Sequence, residues 1–209
     1  DAADAGGFHD DAGDGTEGVA GNEFETIRLE RPRENVAEIV LDRAHQMNTI
    51  TLELLEELEA VVDSLHDTED ARAVVVSGAG DRAFSVGADA TSMAASDRPL
   101  NLLAVELSRQ GQEIFGSLEE LPMPVVAAVD GYTLGGGMEL AACADLRVAS
   151  ERSTFGQPEH DLGIMPGWGG TQRLKEIVGE GRAKEIIFTA DHYEPETMAD
   201  YGFVNEVVP

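Results

Sequence analysis

Residues 125–149 read VVAAVDGYTLGGGMELAACADLRVA. Val125–Val129 is a short apolar run opened by Pro124 and closed by Asp130-Gly131, the pattern of a buried strand. Gly135-Gly136-Gly137 then leads into Met138–Ala144, apolar except at Glu139, which predicts a buried helix. Leu146–Ala149 reads as a strand again. Strands alternating with helices mean an α/β architecture. Towards the N-terminus, Ala73–Ser77 is a second buried strand, ended by Gly78-Ala79-Gly80. Before it, Thr51 is placed to cap a helix in which Leu52, Leu54, Leu55, Leu58, Val61, Val62 and Leu65 recur at helical spacing through His66. Thr26–Glu30 and Val36–Leu41 alternate as a β-hairpin, with Pro32 and Asn35 assigned to its turn. Beyond a loop around Pro99, residues 100–118 read as a helix. Thr171–Val178, Arg182–Phe188 and Glu196–Tyr201 are further helices, and Val204–Val208 is a last strand. No repeat of fixed period shows in the sequence.

The 209 residues carry 41 acidic against 14 basic side chains, a net charge of −27. Such a surface is opposed to nucleic acid, whose affinity rests on Lys and Arg neutralising phosphates. No stretch approaches 18 uncharged apolar residues, and the start lacks a basic-then-apolar signal, so neither a membrane span nor an export peptide is expected. A single cysteine, Cys143, allows no intrachain disulfide and fits a reducing cytoplasm. Residues 1–23 hold seven acids and six glycines with few large apolar groups, and read as a disordered tail or linker before an ordered core over 24–209. Without them 34 acids still face 14 bases, so the body itself is acidic. Only Lys175 and Lys184 are lysines. That loading is expected of a protein working in molar salt, where a Debye length of roughly 3 Å screens self-repulsion.

Three segments could carry chemistry. Ala83-Phe84-Ser85-Val86-Gly87-Ala88-Asp89 follows a buried strand, and its glycine permits a sharp turn that aims amide groups into a cleft. Gly131–Glu139 places three glycines before a helix, where exposed N–H groups suit negative charge developing on an oxygen, or where backbones pack closely. It lacks the Gly-Lys-Ser/Thr ending of a phosphate loop. In Phe155–Glu159 and Gly163–Leu174, glycines and prolines surround one glutamate, and a carboxyl in an apolar loop has a raised pKa suited to a general acid. The five histidines show no metal-ligand spacing.

Taken together, these segments resemble the three signature stretches of the crotonase (enoyl-CoA hydratase/isomerase) superfamily, in order, across about residues 24–208. The likeness is closest to the enoyl-CoA hydratases, because Glu139 and Glu159 stand twenty positions apart, as the two catalytic glutamates do there. The resemblance implies a crotonase-like ββα superhelix. It also implies an oxyanion hole made by the backbone N–H groups of Ala88 and Gly136, with Glu139 as base and Glu159 as acid. Met47, Asp89, Ala90 and Thr91 fall where the family binds the coenzyme A portion, and Trp168 either bounds the acyl pocket or packs in the core. Ala44 and His45 depart from the proline and lysine common in relatives. The implied reaction is reversible hydration of a 2-enoyl-CoA, with no cofactor beyond the coenzyme A of the substrate. Double-bond isomerisation or another acyl-CoA lyase reaction on the same oxyanion hole, an RNA-binding relative and an inactive truncated member are the alternatives. Relatives usually continue through several more helices, which close the pocket and support trimers or hexamers, so the C-terminal helical region is expected to be absent from this chain.

Overall fold

A computed structural model describes residues 24–89 and 99–209. The expected tail at 1–23 lies outside the described residues, as do Ala90 and Thr91. The chain opens with a hairpin of β1 (Ile27–Arg33) and β2 (Asn35–Leu41), followed by a 3-10 turn at Ala44–Gln46. Helix α1 (Leu52–His66) begins at Thr51, whose hydroxyl accepts the Leu54 N–H at 3.2 Å. Six of the seven residues read at helical spacing, Leu54, Leu55, Leu58, Val61, Val62 and Leu65, are buried, while Leu52 in the first turn is exposed. Burying each of the six contributes roughly 1.5–3 kcal/mol.

Three strand pairs then follow. These are β3 (Ala71–Gly78) with β4 (Ala83–Ser85), β5 (Val125–Val129) with β6 (Tyr132–Leu134), and β7 (Leu146–Ser150) with β8 (Thr154–Gly156). The first strand of each pair joins a six-stranded sheet of order β1-β2-β3-β5-β7-β9, where β9 is Glu206–Val208. The second joins a three-stranded parallel sheet of order β4-β6-β8. Helix α2 (Leu100–Glu119) follows the first pair, α3 (Gly136–Ala142) the second and a 3-10 helix (Pro158–Leu162) the third. Helices α4 (Gly170–Val178), α5 (Glu180–Thr189) and α6 (Pro195–Asp200) complete the chain. The fold is the expected α/β crotonase architecture, and its large sheet is mixed: β1 runs antiparallel to β2 and every other pairing is parallel.

Two expectations need correction. Pro32 lies within β1, not in the turn, which narrows to Glu34. An edge strand tolerates a residue without an N–H, and the register shifts between Glu30 and Arg33 where Pro32 sits. The buried helix of the second segment stops at Ala142, so Cys143 caps its end instead of lying within it.

Candidate functional site

Because the small sheet is parallel, β4, β6 and β8 all end on one side, and ligand sites of parallel sheets lie beyond those ends. Gly87-Ala88 follows β4, Gly135-Gly136 follows β6 and Gln157–Glu159 follows β8. The three segments singled out in the sequence are thus three neighbouring strand exits.

The three glycines are explained by what approaches them. A Cβ on Gly137 would lie 2.1 Å from the Ser85 carbonyl oxygen, and one on Gly136 would lie 2.2 Å from Cζ3 of Trp168. One on Gly135 would meet Oε1 of Glu159 at 2.8 Å. Close packing and site geometry are therefore the same feature here. Gly87, at φ +82°, leaves so little room that its Cβ would sit 2.6 Å from the Gly136 nitrogen. This contact brings the segment holding Ala88 against the start of α3. Ala88 forms an isolated parallel bridge with Ile50, in which Ile50 N–H donates to Gly87 O and Asp89 N–H to Ile50 O. That pattern uses the residues flanking Ala88 and turns its own N–H away from Ile50. Among the described residues, neither the Ala88 nor the Gly136 N–H has a hydrogen-bond acceptor.

Glu139 is 2% exposed on α3, and its Oε1 accepts the N–H of Trp168 at 2.8 Å and of Gly170 at 2.7 Å. Burial pushes its carboxyl above the usual range, while those amides and the Arg173 charge oppose the rise. Glu159 is half-buried on the 3-10 helix, and burial, with the Glu139 charge behind it, pushes its carboxyl up to about 7. The two acids therefore stand in each other's field.

Gln157, inside the third segment but given no role there, is 1% exposed. With its amide turned to donate, its nitrogen lies 3.2 and 3.0 Å from Oε1 and Oε2 of Glu159. The opposite orientation would set oxygen against both carboxyl oxygens. Asn48, also missed, is buried and ties the first exit together. Its Nδ2 donates to Ala79 O and Ala83 O, its Oδ1 accepts the Arg43 N–H, and its carbonyl accepts the Ser85 hydroxyl. A single Gln or Asn carries no periodicity, so the sequence marks the segment around Gln157 but not its role, and does not mark Asn48.

Met47 sits just before Asn48 with φ 54°, and its carbonyl accepts the Val86 N–H. Asp89 pairs with Arg43 at 3.3 Å, both side chains largely covered. Trp168 is buried edge-on to Phe115, with its indole N–H donating to Leu107 O at 3.0 Å. The ring fills the space between Gly136 and Gly111 of α2. His160 is exposed beside Glu159. Burial drives the Cys143 thiol to about 12, so it stays protonated. Among the described residues no three His, Cys, Asp or Glu side chains converge as a metal site, and no helix is long and apolar enough to cross a membrane.

A family model described as enoyl-CoA hydratase/isomerase matches residues 31–209. Crotonyl-CoA hydratase of Syntrophomonas wolfei is 40% identical over 188 residues, which are 88% of this chain and 70% of that protein. Short-chain-enoyl-CoA hydratase of Clostridium acetobutylicum is 38% identical over 187 residues, 89% of this chain and 70% of that one. The crystal structure of an enoyl-CoA hydratase from Bacillus anthracis superposes with a TM-score of 0.84 at 37% identity, covering 88% of this chain and 70% of that one.

Proposed function

The chain belongs to the enoyl-CoA hydratase/isomerase family, in which its relatives are lyase-type enzymes, and from that premise we propose that it reversibly adds water to a 2-enoyl-CoA, giving the 3-hydroxyacyl-CoA. The observation that carries this reading is that Glu159 lies in the field of the buried Glu139, beside two amide groups that have no acceptor among the described residues.

The thioester oxygen accepts the N–H groups of Ala88 and Gly136. Glu139 takes a proton from water as the water oxygen bonds to Cβ. The π electrons of the alkene move through Cα onto the thioester oxygen, where the two amides stabilise the developing charge. One such donor supplies about 3 kcal/mol of barrier lowering. Cα then takes its proton from Glu159, and dehydration reverses each transfer. A carboxyl titrating near 7 is suited to that role, since it holds its proton in a good fraction of molecules at neutral pH. Glu139, gripped by two backbone donors, is suited to accept a proton from a fixed position. Coenzyme A enters as part of the substrate, and the scheme calls on no separate cofactor. Met47 and Asp89 line its approach, and Trp168 bounds the acyl pocket from behind Gly136.

The test is turnover of crotonyl-CoA by Glu139→Gln and Glu159→Gln. Each is expected to lose roughly 10²–10⁴-fold in kcat. Near-wild-type hydration by either variant would overturn the two-acid scheme.

We further propose a homotrimer or hexamer if the C-terminal helices are supplied, and a cytoplasmic, salt-adapted protein that takes neither nucleic acid nor membrane as partner. The support is a charge of −27 with two lysines. Higher activity in roughly 2 M KCl than in about 0.2 M is expected, and the reverse order would count against salt adaptation.

A further inference from the structure

The amides that hold Glu139 both come from one turn, Trp168–Gly170, at the start of α4. That turn is itself held by a side chain which touches neither acid. The guanidinium of Arg173 folds back over it, and Nη1 donates to Trp168 O at 2.9 Å. The fit is close enough that a Cβ on Gly169, at φ +104°, would fall 1.9 Å from that Nη1. The other edge of the same guanidinium, Nε and Nη2, reaches Oε2 of Glu119 at 2.9 and 2.8 Å, at the last residue of α2. The Arg173 side chain is largely covered, and Glu119 is half exposed. One rigid fork therefore ties the end of α2 to the carbonyl that lies between the two amide donors of Glu139. An arginine is needed for this, because a lysine ammonium cannot serve two acceptors on opposite edges of a plane.

We propose that Arg173, anchored by Glu119, is a positioning residue that sets both the location of the Trp168–Gly170 amides and the ionisation of Glu139. The inference rests on the reading of Glu139 as the base. The charged and titratable groups facing Glu139 are Arg173 on α4, Glu159 on the 3-10 helix and Cys143 at the end of its own helix, with Glu119 of α2 behind Arg173. Among them Arg173 is the one whose charge opposes the effect of burial on Glu139. A base must be ionised to act. Removing the cation therefore moves the acid limb of the pH–rate profile to higher pH. Removing the anion behind it, with the hydrogen bond kept, moves that limb to lower pH.

The experiment compares the intact chain with Arg173→Met, Arg173→Lys and Glu119→Gln. It reads kcat and KM for crotonyl-CoA against pH, and the Glu139 carboxyl itself by ¹³C NMR of labelled glutamate in a Glu159→Gln background. Arg173→Met is expected to raise the Glu139 titration by roughly one unit and lower kcat about tenfold or more, with KM little changed. Arg173→Lys should restore the titration but not the full kcat, since it keeps the charge and loses the fork. Glu119→Gln should shift the titration the opposite way, by less. Equal loss of rate at every pH with an unmoved carboxyl would show a merely structural role and overturn the proposal, as would shifts of the same sign in Arg173→Met and Glu119→Gln. Should Arg173→Met fail to fold, the sign of the shift in Glu119→Gln decides. If the unmodified chain hydrates no enoyl-CoA, the functional reading fails, while the NMR titration still tests the positioning claim.

Discussion

The two acids of this site are held in opposite ways. Glu139 stands on a helix whose every residue is buried, and backbone amides from a distant turn grip one of its oxygens. Glu159 stands on a half-exposed 3-10 turn, and its neighbour is a side chain, Gln157, that reaches both oxygens. Backbone donors fix a position, because moving them means moving an element. A side-chain donor can follow the carboxyl through rotation. In the proposed scheme the contrast separates a proton acceptor locked in place from a proton donor that keeps some freedom, although burial raises both carboxyls.

A pair of glycine substitutions would break this comparison most directly, with Gly135, at φ +53°, also carrying backbone strain that Gly170 does not. An added methyl would lie 2.8 Å from a carboxyl oxygen in both Gly170→Ala, against Glu139, and Gly135→Ala, against Glu159. At Gly170 it would also meet Cγ of Glu139 at 2.9 Å, so rotating the carboxyl gives no relief. We expect Gly170→Ala to cost roughly 10²–10³-fold in kcat and Gly135→Ala about tenfold. Equal losses in crotonyl-CoA assays would remove the distinction between the two sites.

A smaller effect sharpens the comparison through stability. The Glu159 carboxyl titrates near 7 in the folded chain against 4.5 as its ordinary value. The folded state thus holds the proton longer than the unfolded one, and stability falls as pH rises from about 4.5 to about 7. Glu159→Gln removes that loss. Denaturant unfolding should find the variant more stable than the parent by about 2–3 kcal/mol at pH 8, with no gain at pH 4. A gain of the same size at both values would place its origin elsewhere.

The smallest effect concerns Gln157. Its donated hydrogen bonds favour the ionised form of Glu159, so Gln157→Leu should raise the titration further, by a few tenths of a unit to one unit. The proposed scheme needs Glu159 protonated for hydration, so the basic limb of kcat/KM should move to higher pH. An unmoved limb would mean that Gln157 only fills space.

Much of this arrangement is legible in the chain itself. Helix α1 shows its six buried positions and its Thr51 cap because a 3.6-residue period leaves a mark over fifteen residues. The large-sheet strands β3, β5 and β7 read correctly because apolar runs bounded by glycine, proline or aspartate have few other uses. The small sheet could not be seen. Its strands β4, β6 and β8 are three residues each, too short for any period, and the first and third read as parts of loops. The ββα repeat that stacks those strands consequently left no fixed spacing to detect.

What the sequence by itself determined is local: which segments coil or extend, which residues must be glycine, and which two glutamates sit in apolar surroundings. Those follow from sterics and hydrophobic period, which act over a few neighbouring residues. Only the tertiary structure decided that three strand exits meet on one side, that Gly136 lies under the Trp168 ring, and that Arg173 bridges Glu119 to the turn gripping Glu139. The links from Trp168 to Glu139 and from Arg173 to Glu119 join residues 29 and 54 positions apart, and no local preference specifies them. They form because parallel strands must align their hydrogen bonds, and that alignment carries whatever follows each strand to a common edge.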